Sequence, residues 1–570
     1  MNSCSRISYY FRKYALLRVA CFAFILGVGF SIFFLVQNKN KPAPVIEKIN
    51  PPVGAPGDII VISGQNFGTE REPESSYVEF AGVKLTSSSY VNWSDTQIKI
   101  VLPANVQDGL VVVGTKNMRS NSTFFANDEE IPVLVPEEQI NSKPSITNIS
   151  SSSLAVGQIL KIEGTNFGEL RNKSKVLFTA DYNNRIKNVD YITSSMLVDK
   201  MVEVSESEYG YVSWNNNEIK VRVPDGAYTG VVLVTNGKDS SEPVPFTVNN
   251  AAGTKEYINK KQFLLQYEVN IRDLMSDDNG TLSIRCPVPE VFASQPSVQI
   301  TEISPTPSQK DYQKCNVQQI SVNRNNVMNE NLTQTFIIDS YEIKTSVKSD
   351  KIASVKENNK DLFNTLCYPD EIIPADNEDV ANLVKTIIGK ENNQYKKAQL
   401  IYNYMCNNYE VLSKTRKDDA DPLELLSRNK GDAYDFAVIF AALARTAGVS
   451  TNINCGILIN QNLKTQAHWW NEIYLQNFGW VPVDVALGCG MEWKKWPDIE
   501  NVQSYYFGNL DAYHICFSRG LNQLKAFAQE NSVVRFYRSF ALQTVWEEAS
   551  STISSYSAYW NLPIVKGVYQ

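Results

Sequence analysis

The chain has 570 residues, 43% of them hydrophobic and 11% aromatic, with a formal net charge of −7. It is too long for a single hydrophobic core, so about three to five folded domains are expected. The mild acidity, with no basic stripe or aromatic–basic RNA motif, excludes a nucleic-acid partner, and two histidines, His468 and His514, without a Cys-x-x-Cys pair leave no expected metal centre or cofactor.

In chain order, residues 1–18 carry Arg6, Arg12, Lys13 and Arg18 and no acidic residue. Val19–Val36 is an uncharged apolar run of eighteen residues, just long enough to span a bilayer. No small-x-small cleavage site follows it. An uncleaved signal anchor at 19–36 is therefore expected, with the tail cytoplasmic and the bulk periplasmic or extracellular, a cleaved signal peptide being the rival.

The chain then repeats itself. Ile59–Gly68, ending Gly-Gln-Asn-Phe-Gly, returns as Ile159–Gly168, ending Gly-Thr-Asn-Phe-Gly, and Tyr90–Ile100 returns as Tyr211–Val221. Each copy continues through a proline, Pro103 or Pro224, into a strand that begins with Gly109 or Gly230. Alternating strands broken by Gly, Pro and Asn turns predict β-sandwiches at 43–127 and 144–249. A further β-rich unit is predicted over 255–350, with strands at Phe263–Ile271 and Phe336–Ile343.

From residue 360 to 530 the pattern changes. Val380–Ile388 and Tyr395–Met405 have helical apolar spacing, and a third helix opens at Asp432, a suitable N-cap. Its apolar residues Ala433, Phe436, Ala437, Phe440, Ala441, Ala444 and Ala447 predict one buried face, and Gly448 is placed to end it. Strands follow at Ala467–Tyr474 and Gly479–Asp484. Residues 531–570 are expected to pack on this domain, helical over Leu542–Ala549 and extended over Leu562–Tyr569. Cys286 and Cys315, close in sequence, are the expected cysteine pair, with burial as small hydrophobes the alternative.

Gly431-Asp432-Ala433, His468-Trp469-Trp470 and Gly479-Trp480-x-x-x-Asp484 together resemble the transglutaminase-like superfamily of papain-related Cys-His-Asp enzymes. That family reads Gly-Asp-Cys, His-Ala-Trp and Gly-Trp-x-x-x-Asp in the same order. The Gly-x-Asn-Phe-Gly repeats resemble immunoglobulin-like IPT/TIG domains. The fold class implied is a transmembrane helix, tandem all-β immunoglobulin-like sandwiches and an α+β papain/transglutaminase-like domain. The resemblance makes His468 the base, Asp484 its orienting carboxylate and Ala433 the occupant of the nucleophile position, with Tyr434, Trp469, Trp470 and Trp480 lining a cleft.

Alanine at 433 is the departure that matters. A cysteine at a helix start is acidified by the helix dipole and by a neighbouring imidazolium, and attacks a carbonyl as thiolate. A methyl group cannot, and losing the nucleophile of such a unit costs on the order of a million-fold in turnover. Cys455 and Cys489 lack a helix N-terminus to activate them. Three readings stay open: a degenerate enzyme binding peptide or glycan, a cysteine enzyme of acyl transfer or hydrolysis whose nucleophile has been replaced, and a structural or adhesive surface scaffold.

Overall fold

The computed structural model describes residues 43–569 apart from 73–74, 104–105, 108, 117, 128–142, 172, 185–200, 207, 313, 325, 355–362, 364–365, 417–420, 494–498, 522–523, 525, 528–530 and 543–544. The expected tail and anchor, 1–36, lie outside the described residues. Among the described residues, no helix is long and apolar enough to cross a membrane.

The two repeats fold alike. In the first, a four-stranded sheet built on Ile59–Gln65 and Gln97–Val101 packs on a second sheet built on Ser76–Phe80 and Gly109–Thr115. Alternate residues point inward, so Ile60, Ile62, Ile98 and Ile100 meet Val78, Phe80, Val111 and Val113 in one core. The second repeat does the same with Leu160, Ile162, Ile219 and Val221 against Val176, Phe178, Val232 and Val234.

The shared signature has a steric cause. A Cβ on Gly64 or Gly164 would run into the carbonyl oxygen of Val45 or Ser145 on the neighbouring strand. Asn66 and Asn166 are left-handed, at φ 64° and 62°, as are Gly68 and Gly168, at 94° and 91°. The returning tryptophan closes the turn: Trp93 Nε1 donates to the Phe67 carbonyl at 2.9 Å, and Trp214 Nε1 to that of Gly168 at 3.0 Å.

The third β unit centres on two long antiparallel strands, Gly253–Ser276 and Met328–Val347. The chain's end completes it. Ile553–Trp560 and Ile564–Tyr569 pair with Gly253–Ser276, and Trp546–Ala549 pairs with Gly280–Pro287. The helix expected over Leu542–Ala549 is therefore not found, and the terminal segment does more than pack on the preceding domain. Its apolar spacing suits a helix, but open sheet edges offer its backbone partners and its apolar side chains a core, and tertiary context outweighs propensity.

In the last domain, helices Glu378–Ile388, Gln394–Asn408 and Ala433–Thr446 precede a four-stranded sheet. The sheet runs in the order Gly479–Val483, Thr465–Leu475, Thr451–Ile459, His514–Arg519. The third of these helices, hereafter the site helix, is buried on all sides from Ala433 to Arg445, not on one face. Its small alanines let both the other helices and the sheet approach. Ile457, Ile515 and Phe517 join the core of the third β unit. Lys255 ties three units together: its ammonium pairs with Asp225 of the second sandwich at 2.5 Å and donates to the Trp480 carbonyl.

Cys286 and Cys315 do not pair. Cys286 sits opposite Asn316, so Cys315, one residue along, points to the other sheet face. Among the described residues, a disulfide joins Cys406, near the end of Gln394–Asn408, to Cys489, just past Asp484.

Gly164→Ala tests the steric account of the signature. Forcing a methyl against the Ser145 carbonyl should cost about 1–3 kcal/mol and lower the urea midpoint of the second sandwich. An unchanged midpoint would show that the neighbouring strand has room.

Candidate active site

The site helix begins with a capping box. Asp435 N–H donates to Asp432 Oδ1 at 3.1 Å, and Asp432 N–H returns to Asp435 Oδ2 at 3.0 Å. Two buried carboxylates side by side need cations. Arg538, from the C-terminal segment, reaches Asp432 Oδ1 and Oδ2 at 2.7 and 2.8 Å and Asp435 Oδ1 at 2.8 Å. Its guanidinium also lies 4.6 Å over the Tyr434 ring. Burial and the Asp432 charge raise the pKa of Asp435, and Arg538 pulls it back. Ala433, beneath this strap, is 2% exposed.

The strand Thr465–Leu475 lies against the helix. Trp469 meets Tyr434 edge-on at 5.4 Å, and Asn471 Nδ2 donates to the Ala437 carbonyl at 2.9 Å. The chain neighbours of Ala433 and His468 are thus in contact. His468 Nε2 lies 2.6 Å from Asp484 Oδ2, with both side chains wholly buried. Asp484 is fixed in turn, because its Oδ1 accepts the Leu487 N–H at 2.8 Å and caps the short helix Val485–Gly488. With Nε2 donating to the carboxylate, a neutral His468 keeps its lone pair on Nδ1. That atom is buried and has no hydrogen-bond partner among the described residues.

His514 is a strand residue, and its Nε2 lies 3.0 Å from the same Asp484 Oδ2 while its Nδ1 lies 3.1 Å from Asp511 Oδ1. Tyr506 OH donates to Asp511 Oδ2 at 2.7 Å. Trp470 packs against both imidazoles, 6.2 Å from His468 and 5.2 Å from His514. Burial opposes charge on His514, but Asp511 and Asp484 outweigh it and push its pKa up to about 10. Burial likewise favours a neutral Asp484, yet the two histidines hold it well below the usual carboxylate range. Burial also opposes charge on Asp511, but His514, the Tyr506 hydroxyl and the Tyr513 amide lower its pKa. Among the described residues, the ligand atoms of His468, Asp484 and His514 lie within 4.8 Å of one another, the one grouping close enough to be considered for a cation. The 2.6 and 3.0 Å contacts are hydrogen-bond lengths and suit a proton-bridged cluster.

The tryptophans expected along a cleft are core residues: Trp469, Trp470 and Trp480 are 0%, 1% and 4% exposed. Trp480 packs on Tyr474 at 5.0 Å and under Arg519, which pairs with Glu208 of the second sandwich. That sandwich covers the surface where a lone domain would present the ring. Tyr434, under Arg538, is 6% exposed. Sequence reasoning missed both His514 and Arg538. The Asp511-x-x-His514 spacing was a signal for the first, while Arg538 has none, because it comes from a segment 106 residues after Asp432.

Arg538→Ala leaves two buried carboxylates without their main cation and should cost about 3 kcal/mol or more, read as a lower denaturant midpoint. On pH, His514 is raised in the fold, so its contribution is full below about pH 6.5 and lost as pH climbs toward 10. Asp484 and Asp511 are depressed, so theirs is full above about pH 4. The melting temperature should therefore peak between about pH 4 and 6.5 and fall on the alkaline side, whereas a rise from pH 7 to 9 would contradict this.

The Transglutaminase-like superfamily profile matches residues 381–485, a stretch containing Ala433, His468 and Asp484, and the IPT/TIG profile matches 44–127 and 144–248. A cyclomaltodextrin glucanotransferase of Paenibacillus macerans is 25% identical over 186 residues, which is 31% of this chain and 24% of the relative. An uncharacterized protein of Haemophilus influenzae is 30% identical over 161 residues, which is 23% of this chain and 44% of the relative. The chain thus spans under half the length of these curated relatives. Among solved structures, a candidate cysteine protease of Cytophaga hutchinsonii aligns with a TM-score of 0.35 at 14% identity, over 55% of this chain and 92% of that one. Residues 381–485 are a transglutaminase-like domain, carried behind two IPT/TIG domains.

Proposed function

We propose that this is a degenerate transglutaminase-like protein, anchored to a membrane through residues 19–36 and facing the periplasm or the exterior, which binds a peptide or glycan without turning it over. The buried His468–Asp484 pair at 2.6 Å carries the reading. A scaffold has no use for two buried ionisable groups in hydrogen-bond register, since their desolvation costs stability that an apolar pair would not. The capping box at the site helix and the lone pair on His468 Nδ1 supply a helix-start dipole and a base. What is absent is an atom at 433 able to attack a carbonyl. Likeness to cyclomaltodextrin glucanotransferases supports a glycan as one ligand class. The retained pair also supports a second reading, in which Ala433 replaces the cysteine of an acyl-transfer or hydrolytic enzyme.

Ala433→Cys tests the frame. Ala433 is only 2% exposed, so a readout that needs no reagent to enter is preferable. The thiolate absorbs near 240 nm, and its growth with pH can be taken as a difference from the unaltered chain. A cysteine at this helix start beside His468 should ionise at or below about pH 6, and the midpoint should return to about 8.5 or above when His468→Ala is added. A midpoint above about 8.5 in both proteins would mean that Ala433 does not occupy a nucleophile position.

A further inference from the structure

His514 lies outside the motif residues, and its surroundings define its state closely. Its two ring nitrogens each face a carboxylate oxygen, at 3.0 and 3.1 Å, and its side chain is 1% exposed, so water does not take either bond. A carboxylate that is ionised can only accept, so both nitrogens must donate. Each carboxylate is already committed as an acceptor elsewhere. Asp484 takes the Leu487 N–H at 2.8 Å as well as His468, and Asp511 takes Tyr506 OH at 2.7 Å and the Tyr513 N–H at 2.9 Å.

We infer that His514 is a positioning residue: an imidazolium, charged through the neutral range, clamped between Asp484 and Asp511, which fixes Asp484 so that it holds His468 in a single tautomer. The inference rests on the proposed role of His468 as the site's base. Its own evidence, however, is the geometry around His514.

The groups facing the imidazolium come from several elements. Asp484 ends the strand Gly479–Val483, Asp511 and Tyr506 precede the His514 strand, and His468 stands 5.5 Å away, ring to ring. Tyr402, on the helix Gln394–Asn408, feels the Asp484 charge from the far side. With Asp484 and Asp511 ionised and His514 protonated, the cluster carries one negative charge while His468 is neutral, and none when His468 takes up a proton. The site can thus accept a proton at His468 and end electrically balanced in a dry interior, where an uncompensated charge would be costly. The shared Oδ2 has a second effect. Donation from His514 restrains rotation of the carboxylate, so the acceptor for His468 Nε2 stays in place and the lone pair stays on Nδ1.

The chain's two histidines make this directly observable. Magic-angle-spinning 15N spectra of the full chain, labelled only at histidine, should show one imidazole with both nitrogens protonated from about pH 6 to about pH 9. The signals that remain in His468→Ala belong to His514 and assign it. His468, whenever neutral, should show Nε2 protonated and Nδ1 bare. In His514→Gln, with fold checked by circular dichroism, neutral His468 should become a mixture of tautomers. Loss of a His514 proton below about pH 8, or a bare His514 nitrogen at pH 7, overturns the inference. So does an unchanged His468 tautomer in folded His514→Gln, and so does added zinc that strips Nε2 of both imidazoles, which would make the cluster a metal site. These spectra do not depend on residue 433, so the clamp can fail while the thiolate test at Ala433→Cys succeeds, or the reverse.

Discussion

One carboxylate oxygen, Asp484 Oδ2, meets two imidazoles in a volume from which water is excluded. A buried charge is tolerable only if it is paired and hydrogen-bonded, and much around this oxygen serves that requirement. The Leu487 amide occupies the other oxygen, Asp511 balances His514, and Tyr506 steadies Asp511. The Cys406–Cys489 disulfide then fastens the segment following Asp484 to the helix Gln394–Asn408. Polar networks of this kind gain rigidity when complete and lose much when one member is removed.

The same dependence on burial explains how the units are assembled. Sheet residues of the transglutaminase-like domain enter the core of the third β unit, and the second sandwich pairs Glu208 with Arg519 beside Trp480. The C-terminal strands return to the third unit, and the turn before them lays Arg538 over the start of the site helix. The β units therefore close the site from outside as well as holding it. That closure accounts for tryptophans that are core where an isolated domain would leave them on a cleft wall.

The parts of this arrangement legible in the sequence are those set by local chemistry. Repeated Gly-x-Asn-Phe-Gly turns disclosed two sandwiches because backbone conformation and close strand approach restrict the residue types. Asp432 disclosed a helix start, and the His468 and Asp484 motifs disclosed a pair that the fold joins at 2.6 Å. What stayed hidden depends on distant chain. Arg538 and the strand Trp546–Ala549 owe their states to partners far away in sequence, which periodicity does not register. The pairing of Cys406 with Cys489 is likewise set by the packing of two helices, whereas the sequence alone pointed to Cys286 with Cys315. The one-sided helix expected from alanine spacing became a helix buried all round, since small residues permit neighbours on every side.

Whether position 433 and His468 Nδ1 face one another decides between a vacated catalytic frame and a purely structural cluster. A crystal structure of the Ala433→Cys protein measures this directly as the distance from the new sulfur to Nδ1. The account predicts about 3 to 4 Å, the reach of a nucleophile and its base before substrate arrives. A sulfur more than about 6 Å away, or a His468 whose Nδ1 is turned to another partner, would contradict it and leave the His468–Asp484–His514 cluster as a structural device.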